Sequence, residues 1–583
     1  MRSAHSLFCE TAWVAAFKVS STRRIIAAES LSDISLSTVH KLLRLFVASF
    51  MKPVDPHGKI IMKKMDLEPK DAELVVAIVA RIGVDTKTVM ASISNELRKY
   101  RYEVYEIHLT DFLKAFAANF QLIETPVEER YSSYITACNR FRADAGNDIM
   151  ANIAIMDVVS KRKTEVNTNS AQKRNAFLIN QIKRPEECER LRKVYGEHYV
   201  QISCHANEDV RIERLTSRIS RDHPEDPKST DWDIKARKLV HMDESQEDEK
   251  NGQRVRQVFP LSDVIIDADT PVGSEVGIER FFRAFFGDKS VTPTREEYGM
   301  ELANTAALRS SDLSRQVGAA ILTPMMEIQA LGCNEVPRAK GGTYWEGDKH
   351  DGRDFTFGHD SNEQRKRAVI IDLMLRLNKA NALKSDLGTH AQIEKFLFSR
   401  DDKIIADSQL MDSLEYGRSV HAEMNAITDA ARGGHAIKDC ILFSNTFPCH
   451  NCAKHIVASG ISEVVYIHPY PKSYAKELFA DSIVVNPRTK SDDRVVFRQF
   501  KGIVGPMYAR VFTKVRWKKE GGIVDKFEKR NASYVRRTPI PAYLQVEELL
   551  LDEMNHLLRE AGYLPLPPSG ASHSTFDPDL SED

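Results

Sequence analysis

The stretches VHAEMNAI (Val420–Ile427) and TFPCHNCAKHI (Thr446–Ile456) stand on either side of the apolar run CILFSNT, which predicts a buried strand between two helices. Cys449 and Cys452 are three residues apart, so their side chains leave the same face of a first helical turn. His421 stands at the predicted start of the other helix. The pattern therefore predicts two helix N-termini that converge on one site.

This site has the composition of a metal centre. His421, Cys449 and Cys452 supply one imidazole and two thiolates, a ligand set that Zn²⁺ accepts in tetrahedral sites. Three protein ligands leave the fourth position for water, which is typical of a catalytic zinc. Glu423 stands too close to His421 to be a comfortable fourth ligand, but it can reach the bound water and suits a proton shuttle. The alternative is a structural zinc knuckle completed by His455 or a distant cysteine, which the His-x-Glu motif argues against.

The bulk properties exclude several classes of protein. The chain has 583 residues, enough for two or three domains, and its formal net charge of -1 gives no overall attraction to nucleic acid or membrane. No apolar run is long enough to cross a bilayer, and the first fifty residues carry no clear secretory signal. Only two of the eight cysteines have motif-like spacing, which indicates a reducing compartment. We therefore expect a cytoplasmic protein without a membrane partner.

The chain from Glu73 onward has the alternating pattern of an α/β protein. The apolar runs ELVVAIV, NAFLINQI and HYVQISCHA are separated by helical patterns, which predicts a parallel sheet covered by helices on both faces and ending near Gly287. A second α/β unit follows the linker SVTPTREEYG and contains a long polar insertion before the His-x-Glu motif. We predict a helix in AYLQVEELLLDEMNHLLREAG near the C-terminus.

The turn after the first predicted strand partly matches a phosphate-binding loop. Lys87 and Thr88 supply the last two residues of a Walker A motif, and Gly83 lies in the turn. Arg81 and Thr86 stand where the two motif glycines belong, and without them the backbone cannot easily open toward a phosphate. The turn is either a degenerate nucleotide-binding loop or a plain strand–helix connection.

A row of arginines is a second feature of residues 71–287, called the front region below. Arg211, Arg214, Arg218 and Arg221 recur at helical spacing and predict one basic face. Such a face could contact phosphates, as the lid of a nucleotide kinase does, or could be an ordinary solvated helix surface.

The zinc motifs identify a family resemblance. RQVGAAIL, GCNEVP, HAEMNAI, TFPCHNCAKHIVASGI and VVYIHPYPKSYAKELFAD occur in the order found in the deoxycytidylate deaminase family, over Tyr298–Arg510, and H-x-E…P-C-x-x-C is the zinc deaminase signature. The resemblance implies deoxycytidine monophosphate (dCMP) as substrate, deoxyuridine monophosphate and ammonia as products, zinc at the three ligands, and Glu423 as proton shuttle. It also implies Asn334 at the sugar hydroxyl and Arg315 near the phosphate.

One motif departs from this family. GCNEVPRAKGGTYW replaces the GYNG of the short single-domain enzymes, so the phosphate specificity is open and the triphosphate, dCTP, could also be accepted.

The combination of front and back regions resembles the two-domain bacterial anti-phage deoxycytidylate deaminases from about Leu74 on, including LINQIKRPEECERLRKVYG. The expected fold is α/β: an N-terminal P-loop kinase-like parallel-sheet domain followed by a three-layer α/β/α cytidine deaminase-like domain. The expected parts are a poorly packed or disordered extension (1–70), the P-loop nucleotide kinase-like domain (71–287), the deaminase domain (288–520), and a C-terminal helical extension with a disordered tail (521–583).

This resemblance implies depletion of cytosine deoxynucleotides during phage infection, control by a regulatory nucleotide or RNA at the front domain, and a homo-oligomer. Two alternatives stay open. One is deamination of cytosine or adenine within a polynucleotide, which would need a basic channel with aromatic side chains. The other is a nucleotide- or RNA-sensing regulatory protein whose catalytic site is secondary.

Overall fold

The structure of the chain is a computed structural model. Its described residues all belong to one unit, Glu68–Asp583. They are residues 72–115, 119–164, 174–225, 231–244, 246, 250–383, 387–398, 405, 408–412, 415–488, 493–514, 524, 526–532 and 543–563. The expected N-terminal extension (1–70) and C-terminal tail lie outside these ranges.

The described chain forms two six-stranded sheets, which confirms the α/β class and the two parallel-rich sheets. The strands are β1 (Leu74–Ala80), β2 (Glu103–His108), β3 (Asn175–Asn180), β4 (Tyr199–His205), β5 (Val264–Asp267), β6 (Gly318–Leu322), β7 (Ile328–Cys333), β8 (Ile441–Thr446), β9 (Glu463–His468), β10 (Ile483–Val485), β11 (Val495–Gln499) and β12 (Gly502–Ile503).

Eighteen α-helices connect and cover these strands in the described ranges. They are α1 (Thr86–Lys99), α2 (Leu109–Ala115), α3 (Val127–Ala145), α4 (Ile149–Thr164), α5 (Pro185–Tyr195), α6 (Glu208–Asp222), α7 (Asp231–Glu244), α8 (Val255–Val258), α9 (Pro271–Phe285), α10 (Arg295–Ala307), α11 (Asp354–Phe357), α12 (Ser361–Lys379), α13 (His390–Phe398), α14 (Ala422–Gly433), α15 (His450–Ala458), α16 (Ala475–Leu478), α17 (Pro506–Phe512) and α18 (Tyr543–Glu560). None of them combines the length and apolar character that a bilayer span requires.

The first sheet has the order β12-β5-β4-β1-β3-β2, and all of its strand pairs are parallel except the antiparallel pair of β12 with β5. Every residue of β1 is buried, as expected for a strand with helices on both faces. Its two faces contribute to separate cores: Val75 and Val79 pack in one, Val76 and Ile78 in the other. The parallel sheet predicted for this region is therefore confirmed.

The second sheet has the order β10-β11-β9-β8-β6-β7, with β6 antiparallel to both of its neighbours. It has a helical layer on each face, because alternate residues of β6 pack into different cores. Ala320 belongs to the core that contains Ala303 of α10, whereas Ala319 belongs to the core that contains Ala422 of α14. Close contact needs glycine here: a Cβ on Gly318 would lie 2.0 Å from the Ala303 carbonyl oxygen.

The two sheets are linked by the chain itself. Only Phe500 and Lys501 separate β11, in the second sheet, from β12, which pairs antiparallel with β5 of the first sheet. Glu297, at the start of α10, accepts hydrogen bonds from the Ile503 N–H of β12 (2.8 Å) and from Arg280 of α9 (2.6 Å). The region after residue 287 therefore contributes a strand to the first sheet.

The predicted C-terminal helix is present as α18 and packs on the front region. Arg162 of α4 lies between two carboxylates, at 2.9 Å from Glu73 and 2.6 Å from Glu547 of α18, and all three side chains are buried. Burial without pairing would be costly for any of these charges, so the network holds α18 against the first sheet.

Candidate metal centre

Two helix starts on the second sheet bring the predicted metal ligands together. His421 is the N-cap of α14 and Cys449 is the N-cap of α15. Helix α14 packs closely against β7, where a Cβ on Gly332 would lie 2.2 Å from the Ala422 carbonyl oxygen. Helix α15 follows β8 after a short turn, so the parallel strands β8 and β9 fix its position.

The donor atoms fit a tetrahedral zinc site. The Sγ atoms of Cys449 and Cys452 each lie 3.3 Å from His421 Nδ1, and the three ligand atoms are within 4.8 Å of one another. Zinc bond lengths of about 2.0 and 2.3 Å require donor atoms roughly 3.6 Å apart. Within the part of the chain that the structure describes, this is the one such group of histidine, cysteine and acidic residues.

The two ligand sulfurs are hydrogen-bonded to each other, and their pKa values are shifted in opposite directions. A hydrogen bond from the Cys452 thiol, together with one from His421, lowers the pKa of Cys449 to about 4, and the same contact raises the pKa of Cys452. The lowered pKa favours the thiolate form of Cys449, which is the form that ligates metals.

Glu423 lies beside the ligands without being one of the predicted three. It belongs to the first turn of α14, is 3% exposed, and its Oε2 is 3.4 Å from the Cys452 Sγ. Burial raises the pKa of Glu423 above its ordinary value, which suits a group that takes and returns a proton near neutral pH.

A cavity of about 440 Å³ opens above the ligands and contains both predicted substrate residues in its lining. Asn334 is buried, and its amide accepts a hydrogen bond from the Val317 N–H (2.7 Å) and donates one to the Arg315 carbonyl (2.8 Å). One donor and one acceptor position of the amide remain for another partner. Arg315 is exposed and its guanidinium lies 5.6 Å from the Tyr470 ring centroid.

The long polar insertion also lines this cavity, which the sequence analysis missed. Residues of α11 and α12 and of the loop before α14 contribute Asp354, Lys366 and Arg418, and Arg418 pairs with Asp354 at 2.7 Å. The insertion has its own small core around Ile370 and Ile393. Its density of charged residues was the available signal, but charge alone does not distinguish a cavity wall from a solvated loop.

The predicted phosphate loop connects β1 of the first sheet to α1, and a carboxylate of the loop itself caps this helix. Asp85 caps α1, where its carboxylate accepts from the Thr88 hydroxyl (2.7 Å) and the Thr88 N–H (3.3 Å). Gly83 has a φ of +88°, and a Cβ there would lie 2.7 Å from the Arg211 carbonyl oxygen. Lys87 is exposed. The three predicted nucleotide-binding residues therefore lie in one turn. The Asp85 carboxylate, however, occupies the place at the start of α1 where a bound anion would lie.

The four arginines of α6 do not form one solvated face. Arg211 is buried, and Arg214 donates to the carbonyls of Ala268 (3.1 Å) and Asp269 (2.6 Å). Arg218 lies 3.3 Å from the Tyr131 hydroxyl. These contacts use the guanidinium groups to join α6 to neighbouring segments of the front region.

Comparison with known proteins identifies the second-sheet region. Residues 293–468 match the family model of the cytidine and deoxycytidylate deaminase zinc-binding region. This segment is similar to the zinc-binding region of that family. The predicted cofactor, Zn²⁺, is confirmed, because the matched region contains the His421, Cys449 and Cys452 group. The roles of individual site residues stay predictions.

Curated relatives agree with this match over short stretches. The deoxycytidylate deaminase of enterobacteria phage T2 is 44% identical over 54 residues, 9% of this chain and 29% of that protein. ComE operon protein 2 of Bacillus subtilis is 34% identical over 80 residues, 14% of this chain and 42% of that protein. The human deoxycytidylate deaminase is 38% identical over 53 residues, 9% and 29% of the two chains. The chain thus spans less than half the length of these relatives.

Among solved structures, the dCMP deaminase of cyanophage S-TIM5 in apo form aligns with 36% of this chain and 98% of that chain, at 16% identity and a TM-score of 0.19. The same enzyme in complex with dCMP and dUMP gives a TM-score of 0.20. These scores are too low to support an argument about this protein.

Proposed function

We propose that this protein is a zinc-dependent hydrolase that deaminates deoxycytidine nucleotides, dCMP in the first place, to deoxyuridine nucleotides and ammonia. The observation that supports it best is the metal centre: one imidazole and two thiolates at two helix starts, with a buried glutamate beside them at the floor of a cavity. The deaminase match of residues 293–468 and the names of the relatives support the same reaction.

Each residue of the centre has a distinct task. His421, Cys449 and Cys452 would hold the metal, which when bound lowers the pKa of a coordinated water toward neutrality. Glu423 takes one proton from the attacking water and passes it to N3 of the pyrimidine, and it then takes the second proton from the new C4 hydroxyl and passes it to the amine that leaves C4. The net step forms a C4–O bond from water, breaks the C4–N bond and releases ammonia.

The nucleotide's sugar and phosphate extend toward the rim of the cavity in this proposal. Asn334 has amide positions left for the sugar hydroxyl, and Arg315 beside Tyr470 offers an exposed guanidinium to the phosphate. Lys366 and Arg418, from the insertion side, add cations to the same lining. Carboxylates of the same lining balance these cations, and Arg418 is paired with Asp354. We include dCTP as a candidate substrate because GCNEVPRAKGGTYW replaces the GYNG of the short single-domain enzymes.

The biological setting is proposed on the resemblance to the two-domain bacterial anti-phage deaminases. In this setting the protein is cytoplasmic, assembles as a homo-oligomer and depletes cytosine deoxynucleotides during infection. A regulatory nucleotide or RNA acts on the front region, whose sheet is joined to the deaminase region through β12 and Glu297. A linkage of this kind can couple ligand binding at one site to activity at the other.

Direct turnover tests the proposal. The purified full chain is incubated with dCMP, dCTP, CMP and CTP, and also with single-stranded DNA and RNA, and the products are identified by mass. Conversion of free deoxycytidine nucleotides with release of ammonia is the expected result. Deamination confined to the polynucleotides would contradict it and favour the polynucleotide alternative, and no turnover by zinc-loaded protein would favour the regulatory alternative.

A further inference from the structure

A second cavity, of about 250 Å³, lies at the carboxyl edge of the first sheet. His108 ends β2 and Asn180 ends β3 directly beside it, and Ile82 follows β1. The connections that leave β1 and β3 run in opposite directions along the sheet, to β2 and to β4, and ligands of open α/β sheets bind at such a point. No described residue lines both this cavity and the one above the metal centre.

The charged side chains in the lining are neutralised within the protein. The Lys183 ammonium lies 2.6 Å from Asp243, whose other oxygen accepts from the Ile82 N–H at 2.6 Å. Arg142 pairs with Glu187 at 2.8 Å. The interior of the cavity is therefore electrically balanced, and recognition there falls to neutral groups.

Three carboxamides supply those neutral groups. The side-chain oxygens of Asn180, Gln181 and Gln253 are buried, and no described residue donates a hydrogen bond to any of them. Gln253 as a whole is 5% exposed. Buried polar atoms in folded proteins almost always have a partner, so three unpaired acceptors around one cavity indicate a ligand that carries N–H donors.

The remaining wall is apolar and aromatic. Helix α3 contributes Tyr131, Tyr134, Ile135 and Cys138, and Leu109 closes the side next to β2. An apolar cavity with a few convergent polar groups is the usual form of a small-molecule site, and this one is at the small end of the range.

We propose that this cavity binds the heterocyclic base of a nucleoside or nucleotide. A base is flat, fits against aromatic rings, and presents adjacent N–H donors and acceptors, which glutamine and asparagine carboxamides match in pairs. Arg130 lies at the rim with 38% of its side chain exposed and is 3.4 Å from the exposed Glu124 carboxylate, a surface contact that a 5′-phosphate on the bound nucleoside would replace. The ligand site of the front region thus lies beside β3 and next to the turn that carries Lys87, because Ile82 and Thr86 of that turn are part of the lining.

The experiment compares two glutamines of one segment. Gln253→Met removes a carboxamide from the lining with little change in shape, whereas Gln257→Met makes the same change at an exposed position outside the cavity. Isothermal titration calorimetry on the full chain uses deoxycytidine, thymidine, adenosine and guanosine with their 5′-monophosphates, and ribose 5-phosphate as the probe without a base. Thermal melts of the ligand-free variants accompany the titrations.

We expect at least one base-bearing compound to bind, ribose 5-phosphate not to bind, and Gln253→Met to weaken the affected site by about tenfold or more while Gln257→Met does not. The ligand-free Gln253→Met protein should melt no lower than wild type, since no described residue donates a hydrogen bond to the removed oxygen. Equal affinity in both variants, or no binding of any base, would overturn the proposal, as would a lower melting temperature with unchanged binding. Failure of the deamination assay would leave this result intact, because binding is measured without turnover.

Discussion

The N-termini of α14 and α15 differ from that of α1 in what the capping side chain does. All three helices begin next to a sheet, where the unpaired N–H groups and the helix dipole favour negative charge. At α1 the Asp85 carboxylate accepts hydrogen bonds from Thr88 of the same helix, so the negative charge favoured there is supplied by the protein itself. At α14 and α15 the capping residues His421 and Cys449 direct their donor atoms to a common point, although Cys449 also accepts a hydrogen bond from the Cys452 N–H of its own helix. A helix start therefore becomes a site only when its cap faces a neighbour.

The largest expected effect comes from removing a cap that is also a ligand. Cys449→Ala should abolish deamination and lower the zinc content from about one per chain to near zero, because a histidine and a single thiolate hold zinc poorly. Elemental analysis and turnover of dCMP measure both quantities. Cys440→Ala is the matched control, since Cys440 is buried but lies outside the ligand group. An undiminished zinc content in the Cys449→Ala protein would show that Cys449 is not a zinc ligand.

Glu423→Ala should separate proton transfer from metal binding. We expect deamination to fall by about 10²- to 10⁴-fold, the range of general acid–base catalysis, with zinc content and melting temperature little changed. Glu477→Ala, at an exposed position on α16, serves as control. If the Glu423 variant kept most of its kcat, the proton would have to travel by another group.

Removing the cap of α1 should lower the free energy of unfolding. Asp85→Ala removes the cap of α1 and should cost about 1 kcal/mol of unfolding free energy. Desolvation raises the pKa of Asp85, but the hydrogen bonds from Thr88 and the nearby Arg218 and Arg214 hold it below its ordinary value of 3.8. The carboxylate's contribution is therefore present above that value and lost as the pH falls through the lower folded-state pKa. Denaturant unfolding at pH 7 and near pH 3 should show the difference between Asp85→Ala and wild type shrinking in acid.

The smallest effect is expected at Lys87. Its side chain is exposed, so Lys87→Ala should leave stability within about 0.5 kcal/mol of wild type. If the turn is a degenerate nucleotide-binding loop, the same variant should weaken binding of ATP or inorganic phosphate, and Asp85→Ala should strengthen it by freeing the helix start. Titration of both variants separates the loop from a plain connection, for which neither change would alter binding.

Local sequence patterns were enough to predict the main strands and helices and the three metal ligands. The buried strand β1 follows from an uninterrupted apolar run, and the pairing of Cys449 with Cys452 follows from a spacing of three on a helix. The histidine and glutamate were found for the same reason, because their chemistry is tied to one helical turn. Zinc itself follows from ligand type, a property of side chains and not of their surroundings.

Contacts between distant segments were decided only by the tertiary structure. The sequence does not reveal that the insertion lines the cavity, that β12 joins the first sheet, or that Asn180 and Gln253 meet at one edge. Nor does it reveal that Asp85 occupies the start of α1, since a Walker-like ending and a self-capped turn differ by where one carboxylate points. Spacing along the chain determines which side chains share a helical turn or a strand face. Which faces meet depends on how whole layers pack, and that is a sum over many weak contacts far apart in sequence.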